Sequence, residues 1–396
     1  MIHRSFQQKQ AVARLVADIK KAAARFDDDV PEAGHDLANL AGELRLQTMN
    51  PIDAVFHLVH VPTMLHAVFQ IIFELDILER IPERGEMSFQ TLAEVTECNL
   101  DGLRRVLRFA CHQKIFQETK DGIRHSPISK AIQRRKPWVV LGLAKLIKEA
   151  AKHLRESLQS GTLVGCITPA LELAYGSNLW DVLSTGNAGM CPKEFQAGMK
   201  AYPAGELPYP WQQLGRATVI DVGGGEGHVA VNLARLFPRL QFVVQDLELN
   251  IDGAARTISA EVSDRVRFEV HDFWTVQPAP MPGTVVYFMR WILHDWHDDD
   301  CVMILRQLLP GLKNTQNRLL IAEAVLPSRL SEQVNHREIE DLTLDLNMFT
   351  LFGAHERTEE QFQALLHRAD PRLRIQKCWG SSIDKMKVLE VRLLES

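Results

Sequence analysis

The sequence predicts an α/β protein, a C-terminal doubly wound Rossmann-like sheet preceded by a mostly helical domain that contains a winged helix. Three observations predict it. Residues 217–228, Ala-Thr-Val-Ile-Asp-Val-Gly-Gly-Gly-Glu-Gly-His, run an apolar strand into an acid and then into four glycines within five positions. After Pro210, strand-like and helix-like segments alternate, which is the rhythm of a parallel sheet with crossover helices. Before Pro210, apolar residues recur at helical spacing around a single hairpin signal. At 396 residues the chain exceeds a usual single domain. The turn-rich Tyr202–Pro210 divides it into 1–205 and 206–396.

In the first domain, residues 8–26 form a helix that Asp27–Asp29 and Pro31 end, and 38–49 form another that stops before Pro51. Neither is apolar enough to stand alone. From Pro62 the pattern becomes helical over 64–78, then 88–96 with Ser88 as N-cap, then 99–113. Residues 115–118 and 123–125 flank an Asp121-Gly122 pair that reads as a hairpin turn. Three helices and a hairpin make a winged helix. Arg104, Arg105 and Arg108 on its outer face keep a DNA-binding regulator open as an alternative. Helices near 138–158, 168–184 and 192–201 complete the domain.

In the second domain, strands are predicted at 217–222, 240–246, 265–270, 283–289 and 318–324, with helices at 226–236, 252–262 and 298–313. Residues 373–378 and 386–394 supply a closing strand pair.

The balance of 45 basic and 50 acidic residues, a net charge of −5, offers no global basic field for nucleic acid or an anionic membrane. The six scattered cysteines read as reduced thiols, no apolar run approaches the ~20 residues of a span, and a cytoplasmic location is expected.

The glycine turn alone is ambiguous, because Gly225–Ala230 also satisfies the dinucleotide G-x-G-x-x-A spacing. Asp221 beside Gly223, Gly224 and Gly225 tilts the reading. A carboxylate there repels a pyrophosphate but suits a ligand bearing an ammonium and a sulfonium, S-adenosylmethionine. A nicotinamide oxidoreductase is disfavoured for the same reason. Asp246 ends the second strand, where a carboxylate accepts ribose hydroxyls, and Leu247 beside it joins the cofactor set. Asp272 and Phe273 end the third, placing an acceptor for the adenine amine next to an apolar surface.

The fourth strand empties into Arg290-Trp291-Ile292-Leu293-His294-Asp295-Trp296-His297, followed by Asp298–Asp300. The run tempts one toward a metal, but the three aspartates sit at a helix start, where acids cap amides and oppose the dipole. No metal is expected. His294 lies at the mouth of the sheet and is a competent general base. Glu323 ends the fifth strand and Glu356 lies in the loop before a terminal helix. Both would orient the imidazole and stabilise its cation. Glu356 is also free to pair with Arg357 or Arg337.

Asp221-Val222-Gly223-Gly224-Gly225-Glu226-Gly227, Leu293-His294-Asp295-Trp296, Ala322-Glu323-Ala324-Val325-Leu326-Pro327 and Glu356-Arg357-Thr358 together resemble the plant- and fungal-type small-molecule O-methyltransferases dependent on S-adenosylmethionine. The resemblance covers most of the chain. It implies His294 as base flanked by Glu323 and Glu356, with Asp246 on the ribose and Asp272 and Phe273 at the adenine. It also implies Arg290 where the family often has lysine, and Trp296 on the adenine side. Substrate walls are expected from Trp180, Phe195 and Met199 and from Asp345–Phe349, including Asn347 and Met348. The resemblance further implies a homodimer through the amino-terminal helices.

The expected reaction is methylation of a hydroxyl of an aromatic or polyketide-like small molecule in secondary metabolism, leaving S-adenosylhomocysteine. The closest rival keeps the fold and runs non-methylating pericyclic chemistry; His294 with both glutamates argues against it.

Overall fold

The computed structural model describes residues 6–395 apart from 31, 161–166, 188, 203–206, 252, 255–257 and 279–281. Two compact units are present: Met1–Ala22, Leu40–Lys148 and Trp180–Pro203 form one, and Ala23–Asn39, Glu149–Leu179 and Ala204–Ser396 form the other.

The chain begins with helices α1 (Phe6–Asp27), α2 (Ala33–Thr48) and α3 (Pro51–Glu74). Helix α3 starts earlier than the sequence pattern suggests. Asn50 accepts from the Ile52 amide at 3.0 Å and Pro51 supplies a preset first-turn φ, so the helix nucleates there and runs through Pro62. It is long and apolar enough by length and composition to cross a membrane, although polar residues such as Asp53, His57 and His60 interrupt the run in sequence. Helix α4 (Ile77–Arg80) follows as a separate turn.

Helices α5 (Phe89–Val95) and α6 (Leu100–His112) bury Leu92, Leu103 and Leu107 in one core, with Ser88 capping α5 as predicted. Strands β1 (Met87–Ser88), β2 (Phe116–Glu118) and β3 (Gly122–His125) form a small antiparallel sheet in the order β1-β3-β2. The expected hairpin is β2–β3; β1 is an addition. Gly122 is not left-handed. A Cβ there would lie 1.9 Å from the Met87 carbonyl oxygen, so glycine is needed for the approach of β1. Arg104 lies over the Phe89 ring and Arg108 pairs with Glu118 at 2.9 Å.

The predicted helix over 138–158 is instead a series of short helices, Lys136–Gly142, Lys145–Ala151 and Leu154–Ser160, and that over 168–184 is Ala170–Tyr175 and Leu179–Thr185. Gly176, left-handed at φ 78°, ends one of them.

The second unit is built on a seven-stranded sheet of order β11-β12-β8-β7-β4-β5-β6. Its strands are β4 (Ala217–Val222), β5 (Gln241–Asp246), β6 (Val266–Val270), β7 (Thr284–Arg290), β8 (Arg318–Glu323), β11 (Leu373–Trp379) and β12 (Lys387–Leu393). Strands β4 to β8 pair in parallel, and β12 and β11 close the edge antiparallel. The chain leaves β4 toward β5 and β6, then returns to the other side as β7, so the topological switch falls between β4 and β7. A two-strand parallel bridge, β9 (Val325–Leu326) with β10 (Arg357–Thr358), sits apart from the main sheet. Val286, Tyr287 and Ile321 are fully buried, matching the near-continuous apolar runs of a doubly covered sheet. The predicted helix over 252–262 lies partly outside the described residues, and 260–264 are turn.

Candidate active site

At the end of β4 the chain must turn sharply into the helix His228–Leu236, and its glycines are crowded by protein. A Cβ on Gly223 would meet Ile292 Cδ1 at 2.5 Å, and one on Gly224 would meet the Asp221 carboxyl carbon at 2.7 Å. Gly225, left-handed at φ 57°, faces open space. The amides of Gly223 and Gly224 donate to the Gln245 carbonyl, and that of Gly225 donates to Asp246 Oδ2 at 2.7 Å. Asp246 Oδ1 accepts from the Leu247 amide and from Asn250. The acid at the end of β5 therefore braces the glycine turn.

Asp221 is 3 % exposed, and its Oδ2 accepts no hydrogen bond among the described residues. Burial pushes its carboxyl up to about 7; the Arg290 guanidinium opposes the shift and Asp246 reinforces it. At the end of β6, Asp272 accepts from the Trp274 amide at 3.0 Å. Phe273, Trp274 and Trp296 form an aromatic cluster with centroid separations of 5.6, 6.1 and 4.7 Å.

Strand β7 ends at Arg290, and the next residue, Trp291, is left-handed at φ 54°. That conformation is strained for a bulky side chain. Its ring stacks on His294 (6.2 Å, 17°) and lies under the Arg290 guanidinium (4.2 Å). A 3₁₀ turn, Leu293–Asp295, then carries His294, which is 3 % exposed. His294 Nδ1 lies 2.7 Å from Glu356 Oε1 and 3.7 Å from Glu323 Oε2, while Nε2 lies 3.4 Å from Asp295 Oδ1. Because a carboxylate only accepts, Nδ1 carries the proton toward Glu356, and in the neutral ring the lone pair is on Nε2. Burial alone would lower the imidazole pKa; Glu356 first, then Glu323 and Asp295, outweigh it and hold it up at about 10. Burial in turn raises Glu323 to about 7 and Asp295 to about 6.

The two glutamates have different jobs. Glu323 Oε1 accepts from the Ile292 and Leu293 amides at 3.1 and 3.0 Å, so it holds the backbone of the turn. Glu356 makes the ring hydrogen bond, and the Asp345 carboxylate accepts from the Glu356 amide at 2.8 Å. Glu356 does not pair with Arg357 or Arg337. Arg337 bonds Glu340 and Asp341, and Arg357 reaches the turn that carries His294. Asp298 is not the helix cap expected of it. His297 occupies that position, and Asp298 accepts from Arg357 Nε and Nη2 at 3.1 and 2.8 Å.

Residues 211–370 match the model of the O-methyltransferase domain, and 58–132 match that of the O-methyltransferase dimerisation domain. The chain is 32% identical over 361 residues to the grayanic acid biosynthesis cluster O-methyltransferase of Cladonia grayi, covering 87% of this chain and 74% of that protein. This chain belongs to the O-methyltransferase family. Two solved structures share its fold. OxaC in complex with sinefungin and meleagrin has a TM-score of 0.79 at 23% identity, covering 98% of this chain and 100% of its own. A structure described as a pericyclic reaction enzyme has a TM-score of 0.80 at 20% identity, covering 98% and 100%.

The protein is thus an O-methyltransferase, and its residues fit S-adenosylmethionine as the methyl donor. A buried carboxylate with a spare oxygen, Asp221 Oδ2, suits an ammonium, and the aromatic cluster suits an adenine. Of the expected substrate residues, Trp180 and Phe195 pack edge to face at 5.8 Å in the first unit, where Met199 is half-buried. In the second unit Asn347 is half-buried and Met348 buried, on the helix His336–Phe352. Sequence reasoning missed Trp291, Trp274 and the contacts of Arg357. Trp274 adjoins Phe273, and Arg357 stands inside a motif already singled out, but neither backbone strain nor the target of a guanidinium is written in spacing.

Proposed function

We propose that this O-methyltransferase methylates a hydroxyl of an aromatic or polyketide-like small molecule in secondary metabolism, with His294 as general base. The observation that carries the reading is the buried His294–Glu356 hydrogen bond of 2.7 Å, on a turn whose neighbouring Ile292 packs on Gly223 of the glycine turn. When bound, S-adenosylmethionine supplies an electrophilic methyl group on a sulfonium. Asp221, Gly223, Gly224, Gly225, Asp246, Leu247, Asp272, Phe273, Arg290 and Trp296 would hold it.

In the neutral form of the ring, which the flanking acids make the minor form at neutral pH, the acceptor hydroxyl gives its proton to His294 Nε2, since Nδ1 is committed to Glu356. Glu356 keeps the tautomer and, with Glu323, stabilises the imidazolium. Trp180, Phe195 and Met199 of the first unit, and Asn347 and Met348 of the second, are each assigned to apolar contact with a flat acceptor.

The relative from Cladonia grayi is named for a biosynthetic cluster, which supports a secondary-metabolite acceptor here. Exposed Ile52, Val55 and Phe56 on α3 just before the matched dimerisation region, and Leu58 and Val59 at its start, support a homodimer.

The test is a mass-spectrometric screen of aromatic and polyketide hydroxyl compounds with isotope-labelled S-adenosylmethionine. A gain of one labelled methyl on oxygen, with S-adenosylhomocysteine formed, supports the reading. Conversion of an acceptor without S-adenosylhomocysteine would overturn it in favour of a non-methylating reaction.

A further inference from the structure

The turn that bears His294 is held from two sides, and Arg357 is the larger part of one of them. Glu323 takes the amides of Ile292 and Leu293. The carbonyls are held by Arg357, whose Nη1 donates to Leu293 O at 2.9 Å and whose Nη2 donates to Trp296 O at 3.0 Å. The Cys301 thiol lies against the same two oxygens at 3.2 and 3.4 Å. These carbonyls bracket His294 in the chain.

Arg357 is itself fixed. Asp298 accepts from its Nε and Nη2, and its backbone pairs with Val325 in the β9–β10 bridge. Its side chain is 1% exposed. A guanidinium so buried is costly unless its donors are paired, and its planar fork spans these carbonyls and the carboxylate from three separate nitrogens, where an ammonium offers a single one. Its chain neighbour is Glu356, the partner of the imidazole. A shift of Arg357 therefore moves both the turn that carries His294 and the acid that orients it.

We propose that Arg357 is a positioning residue for the reaction: it touches neither acceptor nor donor and acts through His294 by holding the carbonyls of Leu293 and Trp296. The inference rests on His294 being the base, so the test separates the two.

Arg357→Lys, His294→Gln and the double variant are compared in single-turnover methyl transfer, with the acceptor found in the labelled-donor screen. Arg357→Lys is expected to lower kcat roughly 10- to 100-fold, in line with the cost of a small misplacement, with KM for S-adenosylmethionine within about twofold. In the His294→Gln background the same change is expected to have no further effect. An equal fall in both backgrounds, or an unchanged kcat with His294 intact, overturns the inference.

Asp298→Asn is the second variant, since that carboxylate side chain is 48% exposed and the fold tolerates its loss more easily. It should act in the same direction by a smaller factor and obey the same cycle. The readout without acceptor is proton NMR of ¹⁵N-histidine protein, with the His294 Nδ1–H signal assigned by its loss in His294→Gln. A shifted or broadened signal in Arg357→Lys and Asp298→Asn supports positioning, and an unmoved signal in both overturns it. If His294→Gln alone retains full turnover, it is the base assignment that has failed, and the signal still decides whether Arg357 holds the ring.

Discussion

Val325 and Arg357 are paired across a parallel bridge only two residues long, and that pairing explains how two distant acids meet at one imidazole. Glu323 lies two positions before Val325, and Glu356 immediately precedes Arg357. The bridge therefore sets the exit of β8 against the loop from the far helix. Glu323 is left to hold the backbone of the turn and Glu356 to hold the ring.

That division predicts a pH effect. Glu356 makes the largest contribution raising His294. Glu356→Gln removes a negative charge from beside the imidazole, so the ring deprotonates at lower pH. The acid limb of kcat/KM should move to lower pH, with a lower plateau because the ring is less well oriented. A pH–rate profile of both proteins checks this, and an unmoved limb would count against Glu356 as the ring's partner.

The same raised pKa bears on stability. His294 stands at about 10 in the folded protein against an ordinary 6.5, so its ionic contribution is fully present below 6.5 and lost as pH rises through about 10. Thermal melts between pH 7 and 10 should show a decline that is shallower in His294→Gln. Parallel curves would exclude a charged folded-state imidazole.

Asp221 gives the opposite lever on binding. Burial lifts its carboxyl to about 7, so below that pH the acid is largely neutral and an ammonium-bearing ligand must first displace a proton. Affinity for S-adenosylhomocysteine should rise between pH 6 and 8, with proton release at the lower pH. Asp221→Asn should weaken binding roughly 10- to 100-fold, the worth of one charge-assisted contact, and flatten the dependence. Calorimetry in buffers of different ionisation enthalpy reads both; a pH-independent wild type refutes the role.

Helix α3 makes a prediction about assembly. Leu58 is 74% exposed and stands among Val55, Phe56 and Val59, themselves more than half exposed. Leu58→Glu should shift the sedimentation coefficient from dimer to monomer. Equal coefficients for variant and wild type, whether both dimer or both monomer, place the interface elsewhere or remove it.

The parallel sheet was legible almost strand for strand, because several of its apolar runs carry an acid at or beside the carboxyl edge, as at Asp221, Asp246 and Glu323. The helical region between Lys136 and Thr185 was less so. Its helices are short and end at stops such as Gly176, whereas the helical spacing in sequence runs on through each of 138–158 and 168–184. In the site, the residue types and their order pointed to His294 and the two glutamates. The division of labour between those acids, the grip of Arg357 on the turn and the strained Trp291 depend on backbone groups, which side-chain spacing does not encode.

The central claim is tested most directly by His294→Gln in a single-turnover assay with saturating S-adenosylmethionine at neutral pH. The expected result is a rate lower by ~10²–10⁴-fold with S-adenosylhomocysteine affinity within a factor of two of wild type. Methyl transfer by that variant at close to the wild-type rate would contradict the account.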